Sequence, residues 1–243
     1  MSIEGHRVLV TGAAQGIGEC VARHLAESGA VLHLVDIQEE KVTAVAQELG
    51  CTAGPVDIAD PDSCRSMMAA ALSHLGGLDA LVNVAGIDCP YVSAREVDDA
   101  HWRRLVDVDL SGPWWVTAAA LPHLTQKGGG RVIFISSIAG LSAIEGASPA
   151  YSAAKAGLIG LTIQLSLELE REGILVNTIV PGVIGTTGTP IPEDALEEFR
   201  EQFPLGEGGP EPIARAVSYL LGPGGDWISG AVLNVSGGFI RGR

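Results

Sequence analysis

Three side chains in this sequence, Ser137, Tyr151 and Lys155, are the types that proton-coupled redox chemistry at a carbinol carbon needs. Moving a hydride to or from such a carbon requires a proton to leave or join its oxygen. A free phenol, with a pKa of about 10, is too weak a base at neutral pH. A nearby ammonium favours the phenolate, and a depression of ~3 units corresponds to about 4 kcal/mol, within reach of a desolvated site. The spacing of Tyr151-Ser152-Ala153-Ala154-Lys155 puts tyrosine and lysine one turn apart on one helix face. That face continues through Leu158, Thr162, Leu165 and Leu169, and no formal charge falls between Lys155 and Glu168. A cation on so apolar a helix either snorkels to solvent or has a chemical role. The chemical role assigns Tyr151 as general acid/base, Lys155 as the group that lowers its pKa, and Ser137 as the hydroxyl that bonds the substrate oxygen.

A second cluster lies near the N-terminus: Thr11-Gly12-Ala13-Ala14-Gln15-Gly16-Ile17-Gly18. It follows an apolar strand pattern and opens an amphipathic helix. Glycines there permit a tight turn and close approach to a pyrophosphate, and the helix N-terminus offers free N–H groups. Asp36 ends the next strand pattern, where a carboxylate accepts hydrogen bonds from adenosine ribose hydroxyls and repels a 2′-phosphate.

The elements that must hold these residues alternate. Arg7–Thr11, Val31–Asp36, Thr52–Val56, Asp79–Val84, Arg131–Ser136, Ile174–Val180 and Ala231–Val235 read as strands, mostly continuous Val/Ile/Leu runs separated by helical patterns. Such runs belong to strands covered on both faces. The expected fold class is α/β, a Rossmann-like doubly wound, seven-stranded parallel sheet flanked by helices, with residues 1–243 as a single domain. Two long apolar helices are expected over Asp99–Leu124 and Tyr151–Glu170. Gly182–Gly209, rich in Gly, Pro, Thr and Glu, is expected to be a loop with a short helix, placing a substrate loop at about 183–209.

The G-x-x-x-G-x-G spacing, with Tyr-x-x-x-Lys and the upstream serine, resembles the short-chain dehydrogenase/reductase family from Arg7 to Gly238. Ser137 is the match in the family's Ser-x-x-Gly pattern, Ser137-Ile138-Ala139-Gly140. The resemblance implies that Lys155 also holds the nicotinamide ribose, that the Asp57 side chain meets the adenine amino group, and that Ile58 lies beside the ring. Asn83-Val84-Ala85-Gly86 stands where the family has Asn-Asn-Ala-Gly, and Asn83, Ala85 and Gly86 would hold the sheet and pass close to the cofactor ribose. Pro181-Gly182-Val183-Ile184-Gly185-Thr186 matches P-G-x-I-x-T, so backbone at Ile184 and the Thr186 hydroxyl would fix the carboxamide. NADP users in the family carry a basic residue before the middle glycine or after the acidic position. Here those places hold Gln15 and Ile37, and the expected cofactor is NAD. The fourth catalytic position, usually Asn, is Asp109 in Val108-Asp109-Leu110-Ser111-Gly112. The family uses its backbone carbonyl to hold a relay water, which Asp preserves, whereas an ionised Asp109 would stabilise the Lys155 ammonium.

The expected reaction interconverts a secondary alcohol and a ketone on a small or medium, fairly apolar molecule. Ile138, Ala139, Asp88, Glu145, Val183 and the loop from Thr187 to Phe203 are the candidate substrate-facing residues, and Trp102, Trp114 and Trp115 are read as helix packing. A carrier-protein 3-oxoacyl reductase shares these residues. That subgroup prefers NADPH and docks an acidic carrier with basic residues, whereas Glu172 and Gly128 occupy the relevant places. A net charge of −14 also opposes an acidic partner. A non-catalytic NAD sensor would need no proton-transfer tyrosine. With only three lysines and no basic run, nucleic acid is not an expected partner. No apolar run reaches the ~18 residues that span a bilayer, no signal-peptide pattern opens the chain, and a cytoplasmic location is expected. Four dispersed cysteines and six dispersed histidines suggest no metal site. The excess apolar surface of the two long helices suggests a homo-oligomer, and the family resemblance implies a tetramer. Asp109→Asn is expected to leave steady-state turnover within about a hundredfold of the parent, roughly 2.7 kcal/mol of barrier; a larger loss would show that Asp109 is more than a passive replacement.

Overall fold

The structure, a computed structural model, describes residues 3–88, 92–124, 129–185, 201, 203–206 and 208–241. Seven strands form one parallel sheet: β1 (Arg7–Thr11), β2 (Val31–Asp36), β3 (Thr52–Pro55), β4 (Ala80–Asn83), β5 (Gly130–Ile135), β6 (Ile174–Pro181) and β7 (Val232–Val235), in the order β3-β2-β1-β4-β5-β6-β7. Each lies within one residue of its expected bounds. The chain reverses direction across the sheet between β1 and β4, and in such sheets ligands bind outside the carboxyl ends of the strands at that switch point.

Alternate strand residues explain the continuous apolar runs. Val8, Val10, Leu32, Leu34, Ile133 and Ile179 pack with helices α1 (Gly16–Glu27), α2 (Glu39–Leu49) and α7 (Glu211–Leu221) on one face. Leu9, Val35, Leu81, Val132, Phe134 and Val176 pack with α3 (Pro61–Leu75), α5 (Gly112–Leu124) and α6 (Pro149–Leu169) on the other. Each fully buried Leu or Ile side chain contributes about 1.5–3 kcal/mol. Both faces therefore need apolar residues, and strict alternation is lost.

Two helices differ from expectation. The apolar stretch 99–124 is not one α-helix. It is α4 (Asp99–Val106), a π-helical turn (Asp107–Ser111) and then α5. The extra residue in a π turn changes which positions face inward, and such turns concentrate at functional sites. Helix α6 starts two residues before Tyr151, because Ser148 caps it through its hydroxyl and Pro149 occupies the first turn. Of the tryptophans read as packing, Trp114 rests against the α3/α5/α6 core, whereas Trp102 and Trp115 are exposed. No described helix is long and apolar enough to cross a membrane. No group of three or more His, Cys, Asp or Glu among the described residues could hold a metal ion.

One buried polar cluster bears on stability. His33 of β2 is buried, its Nδ1 is 2.7 Å from Thr52 Oγ1, and its ring stacks on His74 at 5.4 Å between centroids. Burial, helped by His74, pushes the His33 pKa down to about 4. The unfolded chain takes up that proton near pH 6.5, so the stabilising contribution is complete above about 6.5 and is lost as pH falls toward 4. Denaturant titrations are expected to show roughly 2–3 kcal/mol lost across that window through this group. His33→Gln should flatten the dependence, and an unchanged slope would assign it elsewhere.

Candidate active site

The residues singled out in the sequence converge on the carboxyl ends of the strands, each for a local reason. Gly12 leaves β1 with φ +68°, and a Cβ there would lie 2.6 Å from Ala85 Cα. A Cβ at Gly18 would collide with the Gly12 carbonyl oxygen. Only glycine allows this turn to close against β4. Gln15 stands at the N-cap of α1 without making a side-chain capping bond, so the first-turn N–H groups of Gly16, Ile17 and Gly18 lack a side-chain cap. Thr11, which sequence reasoning left aside, accepts the N–H bonds of Val84 and Ala85 on its hydroxyl, at 3.1 Å each, and ties the end of β4 to the turn.

At the end of β2, Asp36 accepts the Ala14 N–H at 3.0 Å and the Gln38 N–H at 2.9 Å, one on each oxygen. Ile37 beside it is exposed. Lys41 of α2 donates to Gln15 Oε1 at 3.3 Å, an ammonium near this end that motif reading had passed over. Asp57 is exposed and accepts from Ala59 N–H. Ile58 is 6% exposed and packs in the α3/α5/α6 core against Gly112. Asn83 is likewise turned into the core, donating to Thr117 Oγ1 at 3.1 Å, which fits the sheet-holding role.

The chemical end is built by four elements. Ser137 follows β5, where its Oγ accepts from Ala139 N–H and lies close enough to Tyr151 to favour its phenolate. Ser136 donates to the Lys155 carbonyl at 2.7 Å and pins β5 to α6. Lys155 is only 5% exposed, with Nζ 5.5 Å from the Tyr151 ring centroid. Its counterion is Asp109, completely buried in the π turn, with Oδ1 3.3 Å from Nζ and 3.0 Å from the donating Ile87 N–H. Asp109 Oδ2 has no hydrogen-bond partner among the described residues. At the start of α6, Ser148 is bonded to His101 Nε2 at 3.0 Å, a tie from α4 across 47 positions that no local signal announces.

At Tyr151 the charges of the protein alone act in both directions, and in the free protein its pKa is raised. Burial is the largest cause; Lys155 and the Ser137 hydroxyl pull the pKa down, while Asp109 and Asp88 push it back up. Burial also opposes the Lys155 ammonium, but Asp109 and Tyr151 outweigh it and the lysine is raised. Burial raises Asp109 against the pull of Lys155.

Of the substrate-facing candidates, Ile138, Ala139 and Phe203 are buried, Ile138 and Phe203 in a third apolar cluster where Phe203 stacks on Phe239 at 4.9 Å. Val183 is half-buried against that cluster, and Asp88 and Glu145 are exposed. Pro181 and Ile184 are buried, and Ile184 bridges to Gly208. Thr186 and the loop from Thr187 to residue 200 lie outside the described residues.

The family model described as Enoyl-(Acyl carrier protein) reductase matches residues 12–240. The chain belongs to the short-chain dehydrogenase/reductase family. It is 36% identical to a cis-4-hydroxycyclohexanecarboxylate dehydrogenase of Sinomonas cyclohexanicum, with 95% of each chain covered. It is 32% identical to a 3-oxoacyl-(acyl-carrier-protein) reductase of Thermotoga maritima, over 99% of this chain and all of that one. A crystal structure of a putative short-chain alcohol dehydrogenase from Sinorhizobium meliloti 1021 superposes with a TM-score of 0.92 at 32% identity, covering 98% of this chain and 97% of that one. Short-chain dehydrogenase/reductases are oxidoreductases that bind a nicotinamide dinucleotide, and the residues here fit one: an uncapped helix N-terminus, a carboxylate at the tip of β2, and bare Gly86 backbone beside Lys155.

Gly86 gives the sharpest test of this packing. A Cβ there would stand 2.5 Å from Asp109 Oδ1 and 3.1 Å from Lys155 Nζ. Gly86→Ala is expected to part the pair and lower kcat/KM about tenfold or more, with circular dichroism unchanged. Full activity in that variant would show that the pair's geometry is dispensable.

Proposed function

We propose that this chain is an NAD-dependent oxidoreductase that interconverts a secondary alcohol and a ketone. The observation that carries the reading is the convergence of Ser137, Tyr151 and Lys155 beside the β1–β4 switch point. When bound, the nicotinamide ring supplies or accepts the hydride. Tyr151 takes the carbinol proton during oxidation and returns it during reduction. Ser137 Oγ bonds the substrate oxygen and stabilises the charge that develops there. Lys155 stabilises the phenolate and holds the ribose. The Gly12–Gly18 turn holds the pyrophosphate, Asp36 the adenosine ribose, Asp57 the adenine amino group with Ile58 beside the ring, and Ile184 backbone with Thr186 the carboxamide.

Asp36 supports NAD over NADP, since a buried carboxylate there opposes a 2′-phosphate. The half-buried apolar side chains Val183, Leu141 and Ile144 support a fairly apolar substrate. Trp115 of α5 with Ile163 and Leu167 of α6 are exposed, which supports self-association through these helices, in the tetramer that the family suggests. Free thiols at Cys20, Cys51 and Cys64 support a reducing, cytoplasmic setting. We also take residues 1–243 as one domain, with the substrate loop at about 183–209.

The second reading, an NADPH-dependent 3-oxoacyl ketoreductase, is favoured by relatives bearing that name and by Lys41 close to Gln15. An oxidation screen of cyclic, aromatic and aliphatic secondary alcohols, run with NAD and NADP in parallel, separates the two. Tyr151→Phe is expected to lower turnover about a thousandfold while NADH fluorescence still reports binding. Turnover undiminished in that variant would remove the proposed acid/base, and binding without turnover in the parent would favour an NAD sensor.

A further inference from the structure

The site holds more negative charge than proton abstraction calls for. Tyr151 faces Lys155 from its own helix, Asp109 from the π turn and Asp88 from the segment after β4. His101 of α4 is engaged with Ser148 at the start of α6. One ammonium is thus set against two carboxylates around a single phenol. The nearer pair is not a surface accident. Asp109 is fully buried, sits 3.3 Å from the ammonium, and is oriented by the Ile87 N–H. A neutral amide in its place would keep the backbone carbonyl and the acceptor oxygen for Ile87 while removing the charge.

We propose that the Asp109 carboxylate is a charge brake on Tyr151: by compensating the Lys155 ammonium, it sets the pH at which the phenol gives up its proton and thereby the pH range of the enzyme. Asp109 is a positioning residue in this scheme, since it acts through Lys155 and Tyr151. The inference rests on Tyr151 being the acid/base. The direction of the shifts agrees with it: Asp109 raises both the lysine and the phenol. The sign follows. In alcohol oxidation the phenolate is the active form, so rate rises with pH through the phenol's midpoint. With Lys155 still protonated, as Tyr151 beside it favours, removing the carboxylate lowers that midpoint and moves the acid limb to lower pH. Asp88 is exposed, so water screens it and its contribution is smaller.

The test has two readouts. The first needs no substrate: phenolate ultraviolet absorbance is titrated for the full chain and for Asp109→Asn. Each is measured against its Tyr151→Phe counterpart, which cancels Tyr91 and Tyr219. The midpoint is expected to fall by about one pH unit or more in Asp109→Asn, tenfold more phenolate at any pH below it, and by less in Asp88→Asn. The second is the pH profile of kcat/KM for alcohol oxidation, whose acid limb should move the same way. Asp109→Ser removes the same charge with a smaller side chain and replaces the Asn variant if circular dichroism shows that one unfolded. A phenol midpoint that stays put or rises in the folded charge-removed variant overturns the proposal, even where turnover shows the oxidoreductase reading sound. A falling midpoint without turnover on any alcohol sustains the brake and counts against that reading instead.

Discussion

Burying an ammonium beneath a phenol is the constraint from which this architecture follows. Lys155 lies on a helix with no other charge in the twelve residues that follow it, so its own element supplies no nearby counterion. An unpaired buried ammonium would lose its proton or disrupt the packing around it. The compensating carboxylate comes from a different helical run, from the π turn at Asp107–Ser111. Ile87, next to Gly86, then donates its N–H to the same oxygen, so the segment after β4, the π turn and α6 meet at one carboxylate. Breaking such a pair one-sidedly is costly, because the other charge stays buried without its partner.

The same edge of the sheet is held by polar side chains doing structural work close to where chemistry occurs. Thr11 ties Val84 and Ala85 to β1, Ser136 ties α6 to β5, and Asn177 brackets the turn into β7 by bonding the Ile228 carbonyl and the Ala231 N–H. Each satisfies backbone groups that loops at a strand end would otherwise leave unpaired. The reward is rigidity: Tyr151, Ser137 and the glycine turn sit on strand ends and a helix first turn, with few soft torsions between them and the sheet.

Much of this was legible from residue order. The strands were readable because both-face burial demands apolar residues at every position, and the glycine turn because only glycine tolerates the approach to Ala85. The tyrosine–lysine pair was readable because helical spacing of four is a fixed geometry. The π turn was not, since residues 99–124 are apolar nearly all round toward their C-terminal half and carry no phase to betray an inserted residue. The packing of Ile58 into the α3/α5/α6 core is a tertiary outcome that its place after β3 does not reveal. The His101–Ser148 tie is a tertiary pairing between helices, which neither spacing nor pattern encodes. The direction of the Tyr151 shift in the free protein is hidden for a related reason. Local sequence shows the lysine four residues away and hides both the depth of burial and the carboxylates that topology brings alongside.

The charge balance also bears on when the phenol becomes a base. Burial and two nearby carboxylates favour the neutral hydroxyl, while Lys155 and the Ser137 hydroxyl favour the anion. In the free protein the first set prevails. Ionisation then depends on positive charge added beside Tyr151, which under the proposed function comes with the oxidised cofactor. A tyrosine so governed holds its proton until the groove is filled, since burial, joined by Asp109, outweighs the pull of Lys155 alone. A neutral residue at that position would relax the coupling between cofactor binding and phenol ionisation, leaving a site that carries phenolate over a wider pH range with less control over when it forms.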